Sequence, residues 1–216
     1  MLQDIKAVIF DLDGTLVDSM WMWKQIDIDY LKLHNIPMDE NLQKNIEGMS
    51  MKETAYYFKD TYNISDSIEE MMDTWNEMAR ETYENKVDFK RGCENFLKNL
   101  KSKGIKTGIA TSNSRELLDA VTDALNLDRY IDCFKTGDEV GAGKPAPDIY
   151  LSVANHLNVN PQDCLVFEDI IPGLQAGINA GMKTCAVRDD YSMDVDDAKN
   201  EMADYYIIDY TDERLL

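Results

Sequence analysis

The sequence predicts an α/β fold: a parallel sheet covered by helices on both faces, with an all-helical insertion after the first strand. Three observations carry that prediction. Lys6-Ala7-Val8-Ile9-Phe10 is a short, nearly continuous apolar run, the pattern of a strand buried on both faces. From Asp18 to about Val87 the apolar positions recur with helical spacing. After Lys90-Arg91-Gly92, short apolar runs alternate with helical stretches, as strands joined by crossover helices do.

Within the insertion, Asn35-Ile36-Pro37 and Tyr62-Asn63-Ile64-Ser65 read as turns. Ser50 with Glu53, and Asp66 with Glu69, have capping-box spacing, so a helix is expected to start at each. That makes four helices and no strand. Beyond it, helices are expected at Cys93 to Lys103, Arg115 to Leu125 (with Asn113 as its cap), Asp148 to Leu157 and Gly173 to Ala180. Strands are expected at Ile105 to Thr111, Cys133 to Thr136, Cys164 to Phe167, Lys183 to Val187 and Tyr205 to Ile208. The organisation is a core of residues 1–16 and 89–216 with an inserted unit at 17–88. Ligands of an open α/β sheet bind outside the carboxyl ends of its strands, so the insertion is expected to lie above such a site.

Composition narrows the function classes. With 22 Lys+Arg against 41 Asp+Glu, the formal charge is −19, which opposes binding to nucleic acid unless a basic patch intervenes, and none is evident. Asp189 to Leu216 alone holds ten acidic residues and reads as a solvated face. No apolar run is long enough to cross a bilayer, and no basic-then-apolar leader opens the chain, so a soluble cytoplasmic protein without membrane contact is expected. A monomer or weak homo-oligomer is the expected state. Cys93, Cys133, Cys164 and Cys185 are widely spaced, which argues against zinc and against a disulfide framework. His34 and His156 carry no functional signal.

Three strand ends and one loop carry polar groups: Asp11 and Asp13, Thr111-Ser112-Asn113, Glu168-Asp169, and Lys144. A parallel sheet brings these to one rim. Four carboxylates there resist ionising together unless a hard cation is present. Magnesium suits such an oxygen set and bridges to substrate phosphate. A carboxylate can attack phosphorus, and a second one can act as acid and then base. Thr111 and Lys144 supply what would hold the phosphoryl oxygens. Taken singly, Asp11-Leu12-Asp13-Gly14 is also a plausible turn and Glu168-Asp169 a plausible helix cap.

Four motifs stand in order: Asp11-Leu12-Asp13-Gly14-Thr15, Ile109-Ala110-Thr111-Ser112-Asn113, Gly143-Lys144-Pro145-Ala146-Pro147-Asp148 and Val166-Phe167-Glu168-Asp169. Together they resemble the haloacid dehalogenase superfamily, in the subgroup of β-phosphoglucomutase and related sugar-phosphate phosphatases. The resemblance covers nearly the whole chain. It implies a Rossmann-like core with a helical cap that opens and closes, Mg2+ as cofactor and a small phosphorylated metabolite as substrate. Asp11 would be nucleophile and metal ligand. Asp13 would be acid/base and lend its carbonyl to the metal. Asp169 would bind the metal directly, and Glu168 would meet metal-bound water or orient Lys144. Thr111, Ser112, Asn113 and Lys144 would bind phosphate.

Where β-phosphoglucomutases have a cap histidine and a cap-turn arginine, this chain has Trp23 and Met51, which favours hydrolysis over a mutase reaction. The presence of Asp13 disfavours dehalogenation and phosphonate cleavage. Trp23, Met51 and Lys52 are the candidate specificity residues. Met20-Trp21-Met22-Trp23 reads first as helix packing and second as lining of the site mouth. Lys52 reads equally as a contact for a second anionic group or as an exposed lysine. The alternatives to a phosphatase are a phosphomutase and an idle phosphate-sensing or protein-binding module.

Overall fold

The computed structural model of the protein describes residues 1–215. Residues 7–10 of the first apolar run form β1 (Ala7–Phe10), buried along its whole length. It lies inside a six-stranded, all-parallel sheet with β2 (Lys106–Thr111), β3 (Cys133–Thr136), β4 (Cys164–Glu168), β5 (Lys183–Val187) and β6 (Tyr205–Ile207). The order is β3-β2-β1-β4-β5-β6. The chain winds outward from β1 and then restarts at β4, so the crevice between their carboxyl ends is the topological switch point.

Side chains of β1 divide by parity, as a strand buried on both faces demands. Ala7 and Ile9 join one apolar cluster; Val8 and Phe10 join the other, where Phe10 stacks on Phe167 with ring centroids 5.3 Å apart. The covering helices are α5 (Cys93–Ser102), α6 (Arg115–Leu125), α7 (Asp148–Leu157), α8 (Ile171–Asn179) and α9 (Asp196–Met202). The insertion contributes α1 (Met20–Leu33), α2 (Leu42–Ile46), α3 (Met51–Tyr62) and α4 (Ile68–Asn85). Two antiparallel connections join it to the core, and Lys90 N–H donates to Leu16 O at 3.0 Å where they meet.

Ser50 and Glu53 form the expected capping box at α3. At α4 the box lies one residue later than the spacing suggests, on Ser67 and Glu70. Asp66 is used elsewhere: it accepts from Tyr30 Oη at 3.1 Å and lies 3.2 Å from His34 Nε2. Ser114, not Asn113, caps α6 by accepting from Leu117 N–H. Helix α8 starts two residues before Gly173, with Pro172 in its first turn.

The acidic C-terminal segment is not simply a solvated face. It contains α9, and Asp189, Ser192 and Lys199 within it are buried. All four cysteines are free and buried. Among the described residues, no helix is long and apolar enough to cross a membrane.

Candidate active site

Asp11 follows β1 directly, its N–H donating to Phe167 O of the neighbouring strand at 3.0 Å. Glu168 ends β4 and Asp169 follows it, so strand pairing sets these carboxylates side by side. Carboxylate oxygens of Asp11, Glu168 and Asp169 all lie within 4.8 Å of one another, and all three residues are buried. Gly14 makes this approach possible. Its φ is +79°, and a Cβ there would lie 2.3 Å from Asp169 Oδ2. Gly173 does the same for Glu168, whose Oε1 would be 1.9 Å from an added Cβ.

Lys144 closes the cluster from the loop before α7. Its Nζ donates to Asp11 Oδ1 and to Glu168 Oε1, each at 2.6 Å, and lies 5.5 Å from the Tyr150 ring centroid. Glu168 is saturated: Oε1 also accepts from Tyr150 Oη at 2.6 Å, and Oε2 accepts from Asp169 N–H at 3.1 Å. Its role in this arrangement is to hold Lys144. Asp169 is braced by Thr15 Oγ1, which donates to its Oδ1 at 2.8 Å. Its backbone carbonyl accepts from Ser192 Oγ at 2.8 Å, and Ser192 in turn accepts from Lys199 Nζ at 2.8 Å. The acidic tail thus supports the site from behind.

Burial pushes the Asp11 carboxyl up to about 8; the Lys144 ammonium opposes the shift, while Glu168 and Asp13 add to it. Burial, then Glu168 and Asp11, drive Asp169 well above the carboxylate range. For Lys144, burial favours the neutral form but Asp11 and Glu168 outweigh it, so its pKa rises and the ammonium persists. Buried carboxylates held above their ordinary range, offering only oxygen donors, fit a hard divalent cation. Asp11 and Asp169 would hold it, with Glu168 behind them. The Asp13 side chain does not belong to that three-carboxylate cluster.

Asp13 points instead toward the insertion. Its Oδ1 accepts from Ser19 Oγ at 2.5 Å and from Tyr83 Oη of α4; its Oδ2 accepts from Asn113 Nδ2 at 3.1 Å. Trp23 Nε1 donates to Tyr83 Oη at 3.1 Å and reaches Asp13 Oδ1 at 3.5 Å. Burial and then the Asp13 carboxylate raise Tyr83 far above the usual phenol range, so it remains a donor. Trp23 therefore belongs to the site, while Met22 of the same run packs in the core.

A cavity of about 880 Å3 separates the insertion from the sheet rim. Asp11, Asp13, Thr111, Ser112, Asn113, Lys144 and Asp169 line it from the core, and Trp23 and Met51 line it from the insertion. Lys52 does not: it is exposed on the first turn of α3, its N–H donating to Asp138 Oδ1 at 3.3 Å. Of the two readings of Lys52, the exposed lysine is the one the structure has. The rest of that turn docks on the rim, with Met51 N–H donating to Ser112 O at 3.0 Å. Glu53 Oε1, the oxygen not used in the capping box, accepts from Gly143 N–H at 3.1 Å beside Lys144.

Comparison with known proteins fits this arrangement. The family model for haloacid dehalogenase-like hydrolases matches residues 8–187. The chain belongs to that family. Within this hydrolase family, it is 33% identical over 180 residues to a phosphorylated carbohydrates phosphatase of Thermotoga maritima, covering 83% of each chain. Among solved structures, CbbY of Rhodobacter sphaeroides in complex with phosphate superimposes with a TM-score of 0.84 at 22% identity, over 96% of both chains. The β-phosphoglucomutase of Clostridium difficile gives 0.81 at 24% identity, over 97% of this chain and 93% of its own. Both show the same haloacid dehalogenase-like fold.

Sequence reasoning missed Ser19, Tyr83 and Tyr150, each of which contacts a carboxylate of the site. Tyr83 and Tyr150 occupy apolar positions of amphipathic helices, where a tyrosine reads as core. Their hydroxyl partners lie 70 and 18 residues away in sequence.

Proposed function

We propose that this protein is a magnesium-dependent phosphatase that hydrolyses a small phosphorylated metabolite through an aspartyl-phosphate on Asp11. The Lys144 bridge between Asp11 and Glu168, beside Asp169, is the observation that carries this reading. Asp11 Oδ1 is engaged by Lys144, and attack on phosphorus falls to Oδ2. The ester bond to phosphorus breaks as the Asp11 bond forms, and Asp13 gives its proton to the departing alcohol. Asp13 then takes a proton from the water that releases inorganic phosphate. Lys144, Thr111 and Ser112 hold the phosphoryl oxygens, with Lys144 offsetting charge that builds in the transition state. Magnesium on Asp11 and Asp169 would supply further positive charge there. Residues 17–88 act as a cap over the core formed by 1–16 and 89–216.

Trp23 and Met51 stand where the resemblance puts the cap histidine and cap-turn arginine of a mutase, which supports water as the acceptor. A cluster whose pKa values are this strongly perturbed also argues against an idle binding module. The test is hydrolysis of p-nitrophenyl phosphate with magnesium or EDTA, with Asp11→Asn as control. Activity that ignores both changes overturns the reading.

Magnesium should stabilise the chain in a pH-dependent way. Between its ordinary value of 3.8 and about 8, Asp11 is protonated in the folded chain and ionised in the unfolded one. Cation-free protein therefore loses stability as pH rises through that window. Magnesium at 100 times its Kd should add about 2.7 kcal/mol, a Tm gain of roughly 5–10 °C for a chain of this length. Calorimetry should find a larger gain near about pH 8 than near about pH 5; equal gains contradict the proposed metal set.

Tyr83→Phe should lower kcat about 10-fold with little change in KM, because Asp13 loses a donor that fixes its position. A kcat within about 2-fold of the wild-type value would mean that Tyr83 only packs.

A further inference from the structure

The cavity runs past the carboxylate rim into the insertion, and its far wall carries polar atoms that the phosphoryl chemistry leaves unused. Asp27 stands on α1, four residues after Trp23, which places it one turn or about 6 Å further from Asp13 along the helix axis. It lines the cavity yet is only 6% exposed. Its Oδ2 accepts from Gln43 Nε2 of α2 at 2.6 Å, and its Oδ1 has no hydrogen-bond partner among the described residues. Trp75 of α4 lines the same cavity, 3% exposed, and its indole N–H is buried without an acceptor. The Trp75 donor is enclosed by the packing around it, whereas the second oxygen of Asp27 is left able to accept from a ligand in the cavity.

Charge points the same way. In this outer part of the cavity, Lys24 and Lys44 face Asp39, Glu40, Glu47 and Asp194 in addition to Asp27. A second phosphate would meet a net negative wall with no arginine, and Lys52 lies outside it.

We infer that Asp27 is a specificity-determining residue that accepts a hydrogen bond from a hydroxyl of the leaving group. A hydroxyl suits this acceptor because it can donate to the carboxylate without adding charge to an already negative wall. The preferred substrates are thus monophosphates of polyhydroxylated alcohols, and bisphosphates are disfavoured. This inference rests on the phosphatase reading above and deepens it.

The test compares kcat/KM for a hexose monophosphate, the matching hexose bisphosphate and p-nitrophenyl phosphate, which has no hydroxyl to offer. The wild-type protein should prefer the monophosphate to the bisphosphate by at least about 10-fold. In Asp27→Asn and Asp27→Leu, the ratio of hexose monophosphate to aryl phosphate should fall by about 10–100-fold. Asparagine keeps an acceptor for Gln43, so Tm separates loss of recognition from loosening of α2. A ratio that stays within about 3-fold in both variants overturns the inference, as does wild-type preference for the bisphosphate. Those outcomes leave the phosphatase reading standing as long as the aryl ester is hydrolysed. No hydrolysis of any ester by the wild-type protein overturns both.

Discussion

Asp11→Asn should abolish phosphatase activity, with kcat down by at least about 10^3-fold, while leaving the fold as stable as before. The chemical half of this expectation is direct: an amide oxygen is a far poorer nucleophile toward phosphorus than a carboxylate. The stability half follows from the burial of Asp11. Its carboxyl is held up to about 8, so ionising it costs the folded chain free energy at neutral pH, and a neutral isostere removes that cost. Lys144 loses one partner but keeps Glu168 at 2.6 Å. Thermal unfolding should therefore show an unchanged or higher Tm above about pH 7. A variant that loses activity and Tm together would place Asp11 among the structural residues.

Lys144→Met should damage both activity and stability. The ammonium is the shared counter-charge of Asp11 and Glu168, and its side chain is 2% exposed. Removing one partner of a buried ion pair typically costs about 3–5 kcal/mol, a Tm loss of roughly 10 °C for a chain of this length. The sign of the pH dependence is fixed by the carboxyls left behind. Asp11 and Asp169 hold their protons above the ordinary carboxylate range. Their charges are therefore absent at low pH and uncompensated at high pH. The Tm deficit should be smallest near about pH 5 and grow toward about pH 8. Activity should fall as well, by about 10^2–10^3-fold if Lys144 stabilises the transferring phosphoryl group. A deficit that is flat in pH would mean that the lysine acts through packing alone.

How much of this was legible beforehand depends on the range of each interaction. Strand β1 was legible because burial on both faces leaves an uninterrupted apolar run, and the motif Asp11–Thr15 was legible because it breaks that run. The rim followed from topology: parallel strands end together, so Thr111, Glu168 and Asp169 join Asp11 whatever separates them in sequence. Capping is local and legible to within one residue; Ser67 caps α4, and Asp66 is instead bound to Tyr30 and His34.

What escaped was the use of side chains across elements. Asn113 has the composition of a helix cap, but its amide serves Asp13 and Tyr83, and Ser114 takes over the capping. The tail from Asp189 onward looks solvated by charge count, yet Lys199 and Ser192 form a buried chain to the Asp169 carbonyl. Lys52 and Met51 are adjacent in sequence, and helical geometry sends one to solvent and the other into the cavity. Asp27 gives no sequence signal, since an acidic residue on an amphipathic helix reads as solvent-facing until its burial is known.

In the proposed reaction the phosphoryl group passes through Asp11. Acid quenching within the first turnover of a radiolabelled phosphate ester, followed by peptide mapping, tests it most directly. Label is expected on the peptide containing Asp11, released by hydroxylamine as an acyl phosphate is, and absent from Asp11→Asn. Label on another residue, or hydrolysis at full rate with no covalent label at any quench time, would contradict it.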